Sequence, residues 1–367
     1  MRRLRRNTSG RLILVLNLGS TSTKLALYRD DRVVIQRTAH HSRSQIAGCR
    51  RLADQLPMRE AAVLAVLREV GVTPADLDAV AARGGVLAAC RAGTYRIGDQ
   101  MARDARSNRY GTHATNLGVL LARDIARHAA IPAFTVNPPT VDEMCPEARY
   151  SGIPQIIRKA RWHALNQKTV ACRVAARLNK PYRKINMVIA HLGGGISVAA
   201  HRHGRAIDVN NALDGDGPFG IERSGGLPVG DLVRLTHRLP LKKVLRLITG
   251  QGGVIAYLGT NDMREVERRV RDGDAAAREV INAMAWQVAK EIGACAAILS
   301  GQVDAVVLTG SLARWGYLVG RIRRHVRFIA PVHVVPGEME LDALARGTLQ
   351  ALTRRTRVHN YCPRAGA

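Results

Sequence analysis

The feature that most constrains this chain is a repeat of itself. Leu12-Ile13-Leu14-Val15-Leu16-Asn17-Leu18-Gly19 is an apolar run entering a small-residue turn, and Met187-Val188-Ile189-Ala190-His191-Leu192-Gly193 has the same pattern. A second apolar segment follows each, at 24–28 and 197–201. A polar turn comes next, Asp30-Asp31-Arg32 or His203-Gly204-Arg205, and then a third segment. Short apolar runs bounded by turn residues read as strands. Two copies of strand–turn–strand–turn–strand, in register to within one residue, predict two related domains facing a cleft. Each domain offers that cleft a glycine-containing turn, whose backbone N–H groups make a concave anion site. Two opposed anion sites suit a triphosphate, whereas two unrelated hairpins in an α/β protein would give the same pattern without the function.

The rest of the chain alternates in the manner of an α/β fold. Strands are expected at 12–17, 24–29, 32–36, 79–82 and 132–136, and helices at 58–70, 115–128 and 163–178. The strand at 132–136 stops at Asn137-Pro138-Pro139, because a residue before proline disfavours helix. A length of 367 residues suits two domains. They are placed at 11–137, joined by a C-terminal helix at 341–358, and at 138–340, with residues 1–10 as a disordered basic tail.

Composition narrows the function classes. A hydrophobic fraction of 46% supports sizeable cores. The formal charge of +27 attracts polyanions, but only 4% of residues are aromatic and the basic residues are dispersed. An arginine-rich solvated surface is therefore expected rather than a nucleic-acid module. The six cysteines form no Cys-x-x-Cys pair or zinc-like grouping, which suits a reducing, cytoplasmic setting. The basic run at 2–6 before the apolar 12–16 superficially resembles a secretory signal, but Asn17 and Gly19 interrupt it. No apolar run reaches membrane-spanning length.

Two motifs carry the chemistry. Asn17-Leu18-Gly19-Ser20-Thr21-Ser22-Thr23-Lys24 joins a turn glycine, hydroxyls that can bond phosphoryl oxygens and a lysine charge. It is not a Walker A loop, because Gly-x-x-x-x-Gly-Lys is absent. His191-Leu192-Gly193-Gly194-Gly195-Ile196-Ser197-Val198 runs on through Asn210-Asn211-Ala212-Leu213-Asp214-Gly215 to Glu222-Arg223-Ser224-Gly225. Together with His163-Ala164-Leu165-Asn166-Gln167-Lys168, Val141-Asp142-Glu143-Met144, Leu258-Gly259-Thr260-Asn261-Asp262 and Leu308-Thr309-Gly310-Ser311, these segments resemble the acetokinase family, and within it the butyrate kinase branch. The resemblance spans about residues 12–350.

The resemblance implies a fold of two duplicated ribonuclease H-like, actin-like ATPase domains flanking a nucleotide cleft. It implies transfer of the γ-phosphoryl of ATP to a short fatty acid, with ATP and Mg2+ as cofactors, small molecules as partners, no membrane, and a homo-oligomer. Carried over by motif, Arg83 lies beside the substrate carboxylate, with Gly84, Gly85 and His113 around it. Arg223 and His163 stabilise the transferring phosphoryl. Asn17, Gly19, Ser20, Ser22, Lys24, His191, Gly193, Gly194, Gly195, Asp262, Arg264, Gly310 and Ser311 bind nucleotide, and Glu340 with Asn17 holds the metal. Gly84 and Gly85 suggest room for a substrate longer than acetate, and Gly310 a flat surface for adenine. Three departures stand out: Asn137 occupies the family's catalytic aspartate position, Ile221 replaces a proline, and Gly310-Ser311 replaces Gly-Gly. Asn137 leaves open a relative that binds nucleotide but is catalytically impaired. An acetate, propionate or sugar phosphotransferase, and a nucleic-acid-associated protein on the same fold, remain the other readings.

Overall fold

The structure, a computed structural model, describes residues 10–363. The basic tail expected at 1–10 lies outside the described residues except for Gly10. Twelve strands occur among the described residues. They are β1 Leu12–Leu18, β2 Ser22–Arg29, β3 Arg32–His40, β4 Ala79–Ala82, β5 Thr94–Arg96, β6 Ala133–Val136, β7 Asn186–His191, β8 Ser197–Arg202, β9 Arg205–Val209, β10 Ala305–Gly310, β11 Val332–Pro336 and β12 Val358–Asn360. Residues up to 141 together with those from 339 onward form one compact unit, and residues 142–338 form another.

The first unit is built on a seven-stranded mixed sheet in the order β12-β5-β6-β4-β1-β2-β3. Every residue of β1 is buried, which is why its sequence is apolar at every position but Asn17 instead of alternating. Helices Thr115–His128 and Glu340–Leu352 pack on β1 and β4. Leu14, Leu16, Leu25, Leu27, Val63 and Leu117 lie in its core. The edge strand β3 has no fully buried residue and carries polar side chains, as an unpaired edge in water requires.

The second unit has a five-stranded sheet in the order β11-β10-β7-β8-β9. Helix Ala164–Arg177 packs on β7 and β10, and the long helix Ala275–Ile298 on β7 and β8. Val188, Ala190, Leu192, Ile281, Met284 and Val288 fill the core.

The two sheets repeat the same topology. In each, a central strand pairs antiparallel with the next strand and parallel with a later one: β1 with β2 and β4, β7 with β8 and β10. The order β6-β4-β1-β2-β3 thus matches β11-β10-β7-β8-β9. Even an irregularity is shared. Asn17 pairs with Lys24 and His191 with Ser197, and three residues beyond each partner the next ladder shifts register, at Leu27/Tyr28 and at Ala200/His201. A bulge strengthens local twist. Its recurrence at one place in both copies is the mark of a duplicated unit, and the α/β duplication expected from sequence is present.

The C-terminal segment differs from its expected form. The helix ends at Leu352 instead of 358. Arg354 takes a left-handed conformation at φ 56°, and the Arg355 N–H donates to the Gln350 carbonyl at 2.8 Å. That closure satisfies the last helical carbonyls and turns the chain outward. The chain then forms β12, parallel to β5. Among the described residues, no helix is long and apolar enough to cross a membrane.

Candidate active site

In the first unit, residues remote in sequence meet at the end of β1. Asn17 Nδ2 donates to Glu340 Oε2 at 2.6 Å, and Arg83 Nη1 lies 3.2 Å from the same oxygen. Glu340 is 2% exposed and opens helix Glu340–Leu352, where the helix dipole favours a carboxylate. Arg83 follows β4, and its own N–H donates to the Leu16 carbonyl, extending the β1/β4 ladder. A buried carboxylate therefore orients one arginine and one amide at the mouth of the turn that follows.

That turn, residues 19–23, is closed by the Gly19 N–H donating to the Ser22 carbonyl. Ser20, Thr21 and Lys24 are exposed. Behind it lies Arg59, which the sequence reading passed over. Its guanidinium is fully buried and donates to the carbonyls of Gly19, Ser20 and Ser22, to Thr23 Oγ1 and to Gln55 Oε1. In a trans peptide the C=O and the following N–H point in opposite directions. Drawing the Gly19 and Ser20 carbonyls inward thus turns the Ser20 and Thr21 N–H groups to the exposed side. The available signal was an arginine at helical spacing from Val63 and Val66, on the buried face of helix Leu56–Glu69.

The glycines beside Arg83 have a different role from the one expected. A Cβ on Gly84 would sit 2.6 Å from Pro138 Cβ, and one on Gly85 would sit 2.4 Å from Asn116 Oδ1. Their missing side chains admit the protein's own packing, so they do not supply the room for a longer substrate. Gly310 is similar: at φ 92°, its Cβ would meet the Leu192 carbonyl oxygen at 2.3 Å. Backbone crossing accounts for that glycine.

His113 is half-buried, with Nδ1 2.9 Å from Thr115 Oγ1 at the start of helix Thr115–His128. Asn137 follows β6 in a left-handed conformation, φ 41°, which asparagine tolerates better than most residues. Its N–H donates to the Gly93 carbonyl at 2.9 Å, and its Oδ1 accepts from the Gly93 N–H at 2.8 Å. The side-chain oxygen thus clamps Gly93.

In the second unit, the equivalent strand end carries two histidines. His191 ends β7, buried, and its ring stacks on that of His163 with centroids 3.7 Å apart and planes 9° from parallel. A Cβ on Gly193 would lie 3.3 Å from His191 Nε2, so this ring edge borders the glycine turn. His163 Nδ1 lies 2.8 Å from Ser197 Oγ, and His191 Nδ1 3.1 Å from Asn166 Oδ1. A Cβ on Gly195 would lie 3.6 Å from Arg223 Cγ, which puts Arg223 against the same turn, and Arg223 Nη1 donates to the Leu213 carbonyl. Gly194 has open space where a side chain would be.

Asp262 caps helix Met263–Arg271 by accepting from the Arg264 N–H, and it also pairs with the Arg264 side chain. Those bonds hold its carboxyl below the usual range, and both residues are exposed. Ser311 is exposed at the turn Ser311–Arg314.

The model of the Acetokinase family matches residues 144–326. A "Probable butyrate kinase" of Listeria welshimeri is 47% identical over 342 residues, covering 93% of this chain and 96% of the relative. The chain belongs to the acetokinase family. A second protein of that printed name, from Listeria monocytogenes serotype 4b, is 46% identical over 95% of this chain and 99% of its own length. The acetate kinase of Porphyromonas gingivalis superposes with a TM-score of 0.75 at 21% identity, covering 93% of this chain and all of that one. A propionate kinase from Francisella tularensis gives 0.72 at 19%, covering 92% and 98%. At those identities the likeness establishes the shared fold. The two strand-end clusters lie at the small-residue turns that the repeat places after β1 and β7. Among the described residues no group of three or more His, Cys, Asp or Glu side chains is arranged around a metal position.

Proposed function

We propose that this chain is an ATP-dependent carboxylate kinase acting on butyrate or a related short or branched fatty acid. The observation that carries the reading is the pairing of an oriented cation with an anion turn in each copy of the repeat. Arg83 is fixed by Glu340 beside the turn at 19–23, and Arg223 with His163 and His191 borders the turn at 193–195. The names borne by relatives 46–47% identical support a butyrate-sized acid.

The chemistry asks for charge management. A fatty acid has a carboxyl pKa of about 4–5, near that of Asp and Glu, so it is ionised at pH 7 and needs no general base. One carboxylate oxygen forms a bond to the γ-phosphorus while the bond from that phosphorus to the β,γ-bridging oxygen breaks, leaving ADP. Arg83 would hold the attacking carboxylate, and Arg223 and His163 would stabilise the phosphoryl oxygens in transit. The N–H groups of residues 20–21 and 193–195, with Ser20, Ser22 and Lys24, would bind phosphates. Asp262, Arg264, Gly310 and Ser311 would flank the nucleoside.

Mg2+ habitually takes one or two carboxylates plus substrate phosphates, and the single buried Glu340 fits that donor set. Bound there, the ion would neutralise charge on the β- and γ-phosphates. Asn17 turns its amide N–H to Glu340 and so orients the carboxylate.

Asn137 supports a second reading, a family member that binds nucleotide but turns over poorly. Its one side-chain oxygen is engaged by Gly93, and the remaining NH2 is a donor that cannot ligate a cation. Acyl-hydroxamate formation with acids of two to six carbons, for the wild type and Asn137→Asp, separates the readings. Turnover by the wild type with kcat/KM higher for butyrate or isobutyrate than for acetate supports the first. Activity only after the substitution establishes the second, and a preference for acetate removes the butyrate assignment.

A further inference from the structure

The polarity of the hydrogen bonds behind His163 fixes which of its nitrogens carries the proton. The fixed point is the Ser197 backbone carbonyl, which can only accept. Gln167 Nε2 donates to it at 3.0 Å and to Ser197 Oγ at 2.9 Å, so the amide nitrogen of Gln167 faces Ser197. Its oxygen then faces the other way, 3.0 Å from His201 Nε2, and that nitrogen must donate. His201 is fully buried, and burial holds its pKa well below the ordinary histidine value, so it is neutral with one N–H. Its Nδ1 is therefore an acceptor, and it lies 2.7 Å from the Tyr182 hydroxyl, whose own pKa burial pushes well up.

The other end follows by elimination. Ser197 Oγ is fully buried and accepts from Gln167. A buried hydroxyl proton needs an acceptor. Among the described residues, the acceptor within reach is His163 Nδ1, 2.8 Å away. The proton of His163 then resides on Nε2, the nitrogen turned away from Ser197.

We infer that Tyr182, His201, Gln167 and Ser197 form a one-directional hydrogen-bond relay that locks His163 as an Nε2–H donor, ready for a phosphoryl oxygen. Each member donates to the next: Tyr182 to His201, His201 to Gln167, Gln167 to Ser197, and Ser197 to His163. These four are positioning residues, since they act through His163. His191 is set in the opposite sense. Asn166 Nδ2 faces the Gly337 carbonyl, so its Oδ1 accepts from His191 Nδ1 and leaves Nε2 bare in the neutral ring. The stacked rings thus carry their protons on opposite nitrogens, and the Nε2 edge of His191 borders the glycine turn. An anion needs the donor, and the relay decides which ring supplies it. The inference rests on the carboxylate kinase reading for its purpose, but not for its geometry.

The test is NMR of the full-length protein labelled with 15N-histidine, with the His163 signals identified by their loss in His163→Gln. The wild type near pH 7 should show a protonated Nε2 and a bare Nδ1. Ser197→Ala should mix the tautomers and lower kcat by about tenfold or more, as expected for weakening one proton donor. KM for ATP and for the acid should stay within about threefold, because ground-state contacts remain. Ser197→Thr keeps the hydroxyl and should restore tautomer and kcat. A variant that only loosened the fold would not restore one tautomer in this way. Tyr182→Phe removes the head of the relay at the far end and should move the His163 signals in the same direction by less. It carries the test should Ser197→Ala not fold. A protonated Nδ1 in the wild type, or unchanged tautomer and kcat in these variants, overturns the relay. A wild type that shows the Nε2–H form yet makes no acyl phosphate sinks the kinase reading and leaves the relay standing.

Discussion

Replacing Glu340 with glutamine tests the first cluster at its most exposed logical point. The substitution keeps shape and removes one charge from a site that is 2% exposed. Arg83, 20% exposed at its side chain, loses the carboxylate oxygen 3.2 Å away. At that separation and an effective dielectric of about 20, the Coulomb attraction is about 5 kcal/mol. Desolvation of both groups offsets part of it, and the new amide oxygen can still accept from Asn17. Breaking a buried pair typically costs about 3–5 kcal/mol, and the partial exposure of Arg83 reduces this to about 2–3 kcal/mol. Urea unfolding followed by fluorescence should show a lower midpoint with an unchanged slope, since the surface exposed on unfolding is the same. The Mg2+ concentration giving half-maximal acyl-hydroxamate formation should rise at least tenfold. A variant as stable as the wild type, with an unchanged Mg2+ requirement, would refute both the energetic argument and the metal role.

Three further outcomes are expected. Gly85→Ala forces a methyl to within 2.4 Å of Asn116 Oδ1 and 2.8 Å of its Cα, and should cost about 1–3 kcal/mol in a thermal or urea melt; a fully stable variant with an altered acid preference would show that the glycine makes substrate room after all. Arg59→Lys keeps the charge but has at most three donors for the present five acceptors, so KM for ATP should rise about tenfold with a smaller change in KM for the acid; equal ATP affinity would deny that Arg59 shapes the turn. The buried neutral His201 has a folded-state pKa below its unfolded value, so the stability it contributes is present above about pH 6.5 and falls as the unfolded chain takes up a proton below it, by at most about 1.4 kcal/mol per pH unit; urea midpoints between pH 7.5 and 5 should decline, and less steeply in His201→Gln, whereas identical slopes would refute the assignment.

What the sequence determined was local in origin. The short, largely apolar runs Leu12–Leu18 and Asn186–His191, each followed by a small-residue turn, read as strands covered on both faces. Because the pattern occurs twice, the duplicated sheet was legible before any coordinate. So were the histidines and arginines next to those turns, since motif spacing ties them to strand ends. The helix Thr115–His128 was legible from apolar spacing alone.

Tertiary structure decided the rest, because hydrogen-bond partners depend on crossovers that sequence proximity does not record. Glu340 reaches Asn17 across 323 positions only because the C-terminal helix returns to pack on β1. The order Tyr182, His201, Gln167, Ser197, His163 follows no order in the chain; helix Ala164–Arg177 and strand β8 bring it together. Gly84 and Gly85 read as open space in one dimension, yet in three they are points of close approach. A missing side chain means room or contact according to what lies opposite it, and only the fold places something there. The short strand β12 was hidden for the same reason: three residues after an arginine-rich turn carry too little pattern, and pairing with β5 makes them a strand.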